Sequence, residues 1–416
     1  MTTNQTRAGA NTAPRPAYAQ CMLDAARACL LVTAASLPLS TAVTNAFGVL
    51  AFLCWALSGE WRPALRAIAA EPAAWLGFAL LAALLAGVAW SRVPAAQALG
   101  TVLKYRELAL FGIAMFLLSD ARWRARVLWA FFAGALVLLV LSYAISLGLV
   151  RFTDKHGLSS AQGAVLLKSS ITHGFIMSLV AYGAAVVALR STGWRRWALG
   201  VVALLAASNV WFAVQGRTGY VVMAVLVLWL AVSQRSVKVA AVALLCLAIT
   251  LAGAYRWAPA FQARIDQTAA EAIENRTDRE TSIPLRLHYL KRSVELIKKD
   301  PFRGTGTGAW GEGFYEATAN DPPFFHDRSH QHPHNEFLNL GVQLGIGGVA
   351  LLVALFGVAF WRAGALPEKE ALLARGFVLA FAVGCLFNDF LLDSTEGHMW
   401  AVLGGALFGA SQRRAS

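Results

Sequence analysis

The chain has 416 residues, of which 57% are hydrophobic and only 14% charged, and its mean hydropathy is +0.55. A soluble domain carries about a quarter charged residues, so the composition points away from a water-soluble globular protein and toward the membrane class. The formal net charge of +13 would suit a nucleic-acid partner, but the cations sit at the ends of apolar runs, and that partner is not expected.

Residues 1–20 are polar and are expected to form a disordered cytoplasmic N-terminus. The first apolar run follows them without an A-x-A site after a basic start, so a cleavable signal peptide is not expected. Apolar runs of roughly 17–25 residues then predict about twelve membrane-spanning helices. They lie near 21–38, 42–58, 73–90, 101–118, 127–149, 164–189, 197–214, 218–232, 237–254, 334–360, 371–391 and 396–411. Nine fill 21–254 and three fill 334–411, leaving 412–416 as a short tail.

Arg62 and Arg66, Arg122, Arg124 and Arg126, Arg190, Arg195 and Arg196, Arg235 and Lys238, Arg362, Lys369 and Arg375, and Arg413 and Arg414 fall on one side under this alternation. The opposite short turns, such as 39–41, 215–217 and 392–395, carry few cations. That asymmetry predicts both termini in the cytoplasm. The expected architecture is an all-α polytopic membrane protein. The five cysteines (Cys21, Cys29, Cys54, Cys246 and Cys385) lie in apolar stretches, which argues against a disulfide framework and against a cysteine metal site.

The long polar stretch 255–333 breaks the pattern, and the topology puts it outside as one large loop. Within it "IPLRLHYLKRSVELIKKDP" reads as a helix: Pro284 suits a first turn and Asp300-Pro301 a stop. At about 100° per residue, His288, Lys291, Arg292, Glu295, Lys298 and Lys299 gather on one face, and Tyr289, Leu290, Val294, Leu296 and Ile297 on the other. Arg286 projects from the apolar face, where a charge needs an interior that satisfies it. Next, Gly306-Thr307-Gly308-Ala309-Trp310-Gly311 matches G-x-G-x-x-G, but no strand precedes it as a dinucleotide site requires. A flexible, close-packed turn is expected there.

His326, His330, His332 and His334 follow. Their spacing fits no strong metal motif, and no metal or other cofactor is expected. His334 falls after Pro333, in the predicted first turn of the next span. The positive helix end disfavours an imidazolium there and keeps a neutral base available. Arg217 occupies the short turn of "FAVQGRTGY" on the same outer side; Lys104 and Arg106 end the fourth predicted span there, and Asp389 and Asp393 flank the eleventh. One base with several arginines and no paired carboxylates suits displacement of a diphosphate. Guanidinium groups bind it with two-pronged hydrogen bonds, and so weak a base leaves without a general acid.

"HPHNEFLNLGVQLGIGG" after a large outer loop, "DPFRGTGTGAW", and the turn arginine of "QGRTGY" together resemble the O-antigen ligase and polymerase superfamily, and within it an O-antigen ligase of the WaaL type. The resemblance implies an inner-membrane, metal-independent, inverting glycosyltransferase with a GT-C-like fold and a periplasmic active site. Its donor would be an undecaprenyl-diphosphate-linked glycan and its acceptor a sugar hydroxyl of lipid A–core. It carries the essential histidine onto His334 and the two essential arginines onto Arg217 and Arg286. Lys104, Arg106, His332 and Asp389 are further candidates without a clear counterpart. An O-antigen polymerase, a protein O-oligosaccharyltransferase and, from a different class, a lipid-glycan transporter are the alternatives.

Overall fold

The computed structural model describes residues 16–150, 165, 167–214, 216–234, 237–257, 261–263, 265–266 and 282–411. Every regular element among them is helical. In chain order they are α1 (Ala17–Ser36), α2 (Thr41–Leu57), α3 (Trp61–Ala70), α4 (Pro72–Gly87), α5 (Ala95–Lys104), α6 (Glu107–Leu117), α7 (Ala121–Ser146), α8 (Ser170–Leu189) and α9 (Gly193–Ser208). There follow α10 (Arg217–Val232), α11 (Val237–Trp257), α12 (Ser282–Lys299), α13 (Trp310–Ala317), α14 (Glu336–Ala363), α15 (Glu368–Gly384), α16 (Ser394–Met399) and α17 (Gly405–Phe408).

Five helical stretches are long and apolar enough to cross a membrane: Pro72–Trp90, Ala121–Ser146, Ser170–Leu189, Gly193–Ala213 and Glu336–Ala363. A sixth arises if α2 and α3, which meet at 113°, count as one broken span. The chain is therefore a multi-pass helical protein. Length and apolarity alone support five or six crossings where about twelve were expected. Several expected spans are not single regular helices. The one near 101–118 is divided at Tyr105–Arg106 into α5 and α6, and the last passes through a wide turn at Trp400–Gly404 between α16 and α17. At the N-terminus, 17–20 are helical rather than disordered. The predicted N-terminal disorder of 1–15 and the tail 412–416 lie outside the described residues, as do 151–164.

The core gathers around Trp400, which is fully buried. Its ring stacks on Phe111 of α6 and Phe377 of α15 and meets Phe356 of α14 and Phe381 of α15 edge-on or tilted. Aromatic pairs in these geometries add about 0.5–1.5 kcal/mol each beyond area burial. They bind the 385–411 region to α6, α14 and α15, and that region carries part of the site described below.

In α14, Gly345 has φ 67° and ψ −160°, a conformation open only to glycine. The Ile346 amide there donates to Pro301 O at 2.7 Å, and a Cβ on Gly345 would stand 2.3 Å from the same oxygen. The loop after α12 is thereby inserted into the side of a spanning helix.

The G-x-G-x-x-G segment is close-packed, as expected, but it is tied down rather than flexible. Gly304, Gly306 and Gly308 all have positive φ. Thr305 N and Gly306 N donate to Val342 O and Gln343 O of α14, and Thr307 N donates to Gly87 O of α4. Ser91 Oγ returns a bond to Thr307 O at 2.7 Å. A Cβ at Gly306 would lie 2.2 Å from Ser91 Cα, so glycine is needed for the approach itself. The segment wedges the loop between α4 and α14.

Candidate active site

α12 orients one wall of the site. Its buried face is Tyr289, Ser293 and Leu296, packed on Trp310 and Phe314 of α13 and Val342 of α14. Arg286 stands one turn before Tyr289 on this same side and is half-buried. The remaining assignment of faces needs correction. Leu290 is 45% exposed, while His288 and Arg292 are not part of a solvated basic stripe. His288 Nε2 and Arg292 Nε both lie 2.9 Å from Asp321 Oδ2, and His288 stacks on Phe325 at 4.1 Å. The ion pairing reflects the fold of the loop back over α12, which periodicity cannot register.

The histidines divide into two classes. His330 is structural: Phe324 O must accept from Nε2–H at 3.0 Å, leaving Nδ1 to accept from the Tyr289 hydroxyl at 2.7 Å. His326 is structural as well, stacked 3.9 Å from Tyr315 with Nδ1 donating to Tyr315 O at 3.1 Å.

His332 and His334 belong to the site. Their rings meet edge-on, with centroids 4.8 Å apart, and His332 Nδ1 is 3.0 Å from Oδ2 of the buried Asp389. His334 is not in the first helical turn. α14 begins at Glu336, with Asn335 as the cap whose side chain accepts from Leu338 N at 3.0 Å. His334 precedes the cap at φ 52° and is the one non-glycine residue with positive φ among the described residues. A left-handed residue costs about 1–2 kcal/mol.

Asn335 Nδ2 donates to Leu386 O at 3.0 Å, and Glu336 N donates to Cys385 O at 2.8 Å. The fully buried Glu336 side chain accepts from Leu391 N at 2.9 Å and from the Tyr105 hydroxyl at 2.5 Å. The His334 turn is thus pinned to the 385–391 segment that carries Asp389. Tyr105 and Glu336 were not anticipated as site residues. The available signal was a lone carboxylate in the first turn of an apolar run, which is costly in a membrane unless satisfied.

Electrostatics separate the two imidazoles. Burial lowers the His334 pKa, and the neighbouring His332 and Arg286 charges lower it further against the opposing Asp389. The neutral ring is therefore the favoured form. His332 moves the other way, raised first by its contact with Asp389 against the cost of burial. Asp393, beside Asp389, is pushed up to about 6 by partial desolvation and by the Asp389 charge.

The expected site residues are not all brought together. His332, His334 and Asp389 form one cluster, with Arg286 close enough to act on His334 and Lys104 on His332. Arg106 belongs to a neighbouring group, where it bonds Asn45 and lies 3.1 Å from buried Glu107, itself 3.1 Å from His398. Lys168 joins α2 to α16 nearby by donating to Thr41 and Thr395. Arg217 is not in a turn but is the first residue of α10. The helix start is packed on α8, where a Cβ at Gly216 would meet Ser170 O at 2.6 Å.

Ligand atoms of His332, His334 and Asp389 all lie within 4.8 Å of one another, so these three could hold a metal ion. The donor set argues against it. The His332 nitrogen that faces Asp389 lies 3.0 Å from that carboxylate, and the raised pKa of His332 favours its cation, whereas metal ligation needs neutral imidazole.

No curated protein matches the chain. Residues 201–353 match the family model described as O-Antigen ligase. The matched stretch runs from α9 through α12 and the glycine turn to the middle of α14, and it includes Arg217, Arg286, His332 and His334.

Proposed function

We propose, on the premise that the match over residues 201–353 supports the O-antigen ligase superfamily, that this chain is an inverting, metal-independent glycosyltransferase of GT-C-like build in the inner membrane. It transfers O-antigen polysaccharide from undecaprenyl diphosphate to a sugar hydroxyl of lipid A–core on the periplasmic face. The observation that carries the reading is His334, half-buried and biased to its neutral form by burial, His332 and Arg286.

In this mechanism His334 accepts the proton of the acceptor hydroxyl as its oxygen attacks the anomeric carbon. The new C–O bond forms as the bond to the diphosphate breaks, and the diphosphate leaves with that electron pair. Arg286, with Arg217, would carry the charge gathering on the leaving group by guanidinium hydrogen bonds in a water-poor site. His332, held by Asp389, sets the field at His334 and opposes its protonation.

The test is reconstitution of the purified protein with undecaprenyl-diphosphate glycan and three acceptors: rough lipopolysaccharide, a second lipid-linked glycan, and a pilin-like protein. Consumption of donor with the first is expected. Transfer only to the second or third would reassign the protein as a polymerase or a protein oligosaccharyltransferase. Donor and acceptors all left unchanged would favour a transporter.

A further inference from the structure

A cavity of about 270 Å³ adjoins the site on the His332 side. Gln97, Thr101 and Lys104 of α5, Gln331, and Asn339 and Gln343 of α14 line it, with His332 at one wall. Neither His334 nor Arg286 lines it, and no carboxylate does among the described residues. Part of the wall is preset: Gln343 Oε1 accepts from Gly308 N at 2.6 Å, and Gln343 Nε2 donates to Asn339 Oδ1 at 2.6 Å. The division of α5 from α6 at Tyr105 is what brings α5 across this face.

We propose that this cavity binds one sugar ring of the acceptor and presents its hydroxyl toward His334. The assignment rests on the glycosyltransferase reading above and specifies where its acceptor sits. Three considerations support it. The amides and threonine hydroxyl of the wall, set beside Trp310 and Leu392, offer both donors and acceptors next to an apolar face, the complement of a sugar ring rather than of an acyl chain or a metal. The volume falls just below the roughly 300–1,000 Å³ of sites for drug-sized ligands, a size for a single ring rather than an extended glycan.

The position relative to Arg286 is the third. In an inverting displacement the attacking oxygen approaches the anomeric carbon opposite the departing diphosphate. The acceptor must then lie beside the base and apart from the diphosphate-binding guanidinium. The cavity's His332 wall is 4.8 Å, ring to ring, from His334, and Arg286 is not among its lining residues. Lys104 brings positive charge to the wall beside His332, suited to an acidic substituent on that sugar.

Gly100 allows a direct test. It lines the cavity in the middle of α5, and a Cβ placed on it meets no atom within 4 Å, so Gly100→Leu adds bulk at the cavity wall from an unobstructed Cβ. Reconstituted Gly100→Leu should raise the acceptor KM by about tenfold or more, with kcat at saturating acceptor and affinity for the lipid diphosphate near wild type. Thr101→Val, which removes one hydroxyl from the wall, should raise the acceptor KM by a smaller factor. An unchanged acceptor KM in both variants overturns the assignment, and so does a loss confined to donor affinity, which would make this the donor's sugar pocket. Wild-type protein that consumes no lipid-linked glycan with any acceptor would instead remove the glycosyltransferase reading, and this proposal with it.

Discussion

The Tyr105 hydroxyl donates to Glu336 Oε1 at 2.5 Å, joining the break between α5 and α6 to the first residue of α14 across 231 residues of sequence. Glu336 Oε2 accepts from Leu391 N at 2.9 Å, so one carboxylate ties together three segments that surround His334. Tyr105→Phe leaves a buried acceptor unmet and should cost about 1–3 kcal/mol. Glu336→Ala strips both bonds and should cost more. Thermal unfolding in detergent, read by a scaffold-sensitive fluorophore, measures the order. Equal stability of Glu336→Ala and wild type would show that the clamp does not hold the fold.

His334 and Arg286 should fail differently. His334→Ala should keep lipid-diphosphate binding while turnover falls roughly 10²–10⁴-fold, the usual contribution of a positioned base. Arg286→Ala should weaken donor binding as well as turnover, and Arg286→Lys should rescue little, because an ammonium lacks the planar fork. Single-turnover kinetics with a donor titration separate the two. Full activity of Arg286→Ala at low donor concentration would eliminate the clamp role, and normal turnover of His334→Ala the base.

The pH profile follows from the paired imidazoles. A base whose pKa is lowered from 6.5 loses activity only when pH falls through that lowered value, so the acid limb of kcat/KM should lie below pH 6.5. His332 is one of the causes of the lowering. His332→Gln removes that positive neighbour, so the His334 pKa should rise and the acid limb should move to higher pH. A limb that stays in place, or moves to lower pH, contradicts the electrostatic role given to His332.

Chelation tests the triad of His332, His334 and Asp389. With Arg286 acting on the leaving group and His332 paired to Asp389, EDTA should leave turnover unchanged. Activity lost to EDTA and restored by zinc or magnesium would make the triad a metal centre.

Orientation of the large loop is open to cysteine labelling, though not at Ser293. That residue is fully buried and its Oγ accepts from Trp310 Nε1 at 3.0 Å. Lys298, exposed on α12, is the better position. Lys298→Cys should react with a membrane-impermeant maleimide from the periplasmic side of spheroplasts. Reaction from the cytoplasmic side alone would invert the topology.

Much of the architecture was legible before folding. Apolar run length fixed helices over most of the chain, because a backbone in lipid must satisfy its own hydrogen bonds. Glycine spacing marked Gly306 as a point of close approach, and position on a helical wheel marked Arg286 as facing protein. Broken helices were not legible: 101–118 is apolar throughout its second half and reads as one span, yet divides at Tyr105–Arg106, where Tyr105 bonds Glu336 of a distant helix.

The sequence by itself determined the multi-pass class of this protein and its helical content. These depend on composition and on periods of a few residues. Tertiary structure alone decided that His332 meets Asp389 rather than solvent, that His330 serves Tyr289 and Phe324, that His334 takes a left-handed backbone before its helix, and that Arg106 joins Glu107 and His398 in a separate group. A hydrophobic pattern states which face of a helix is buried but not which other face it meets, and the His332–Asp389, His330–Tyr289 and Glu107–His398 pairings all join segments far apart in the chain.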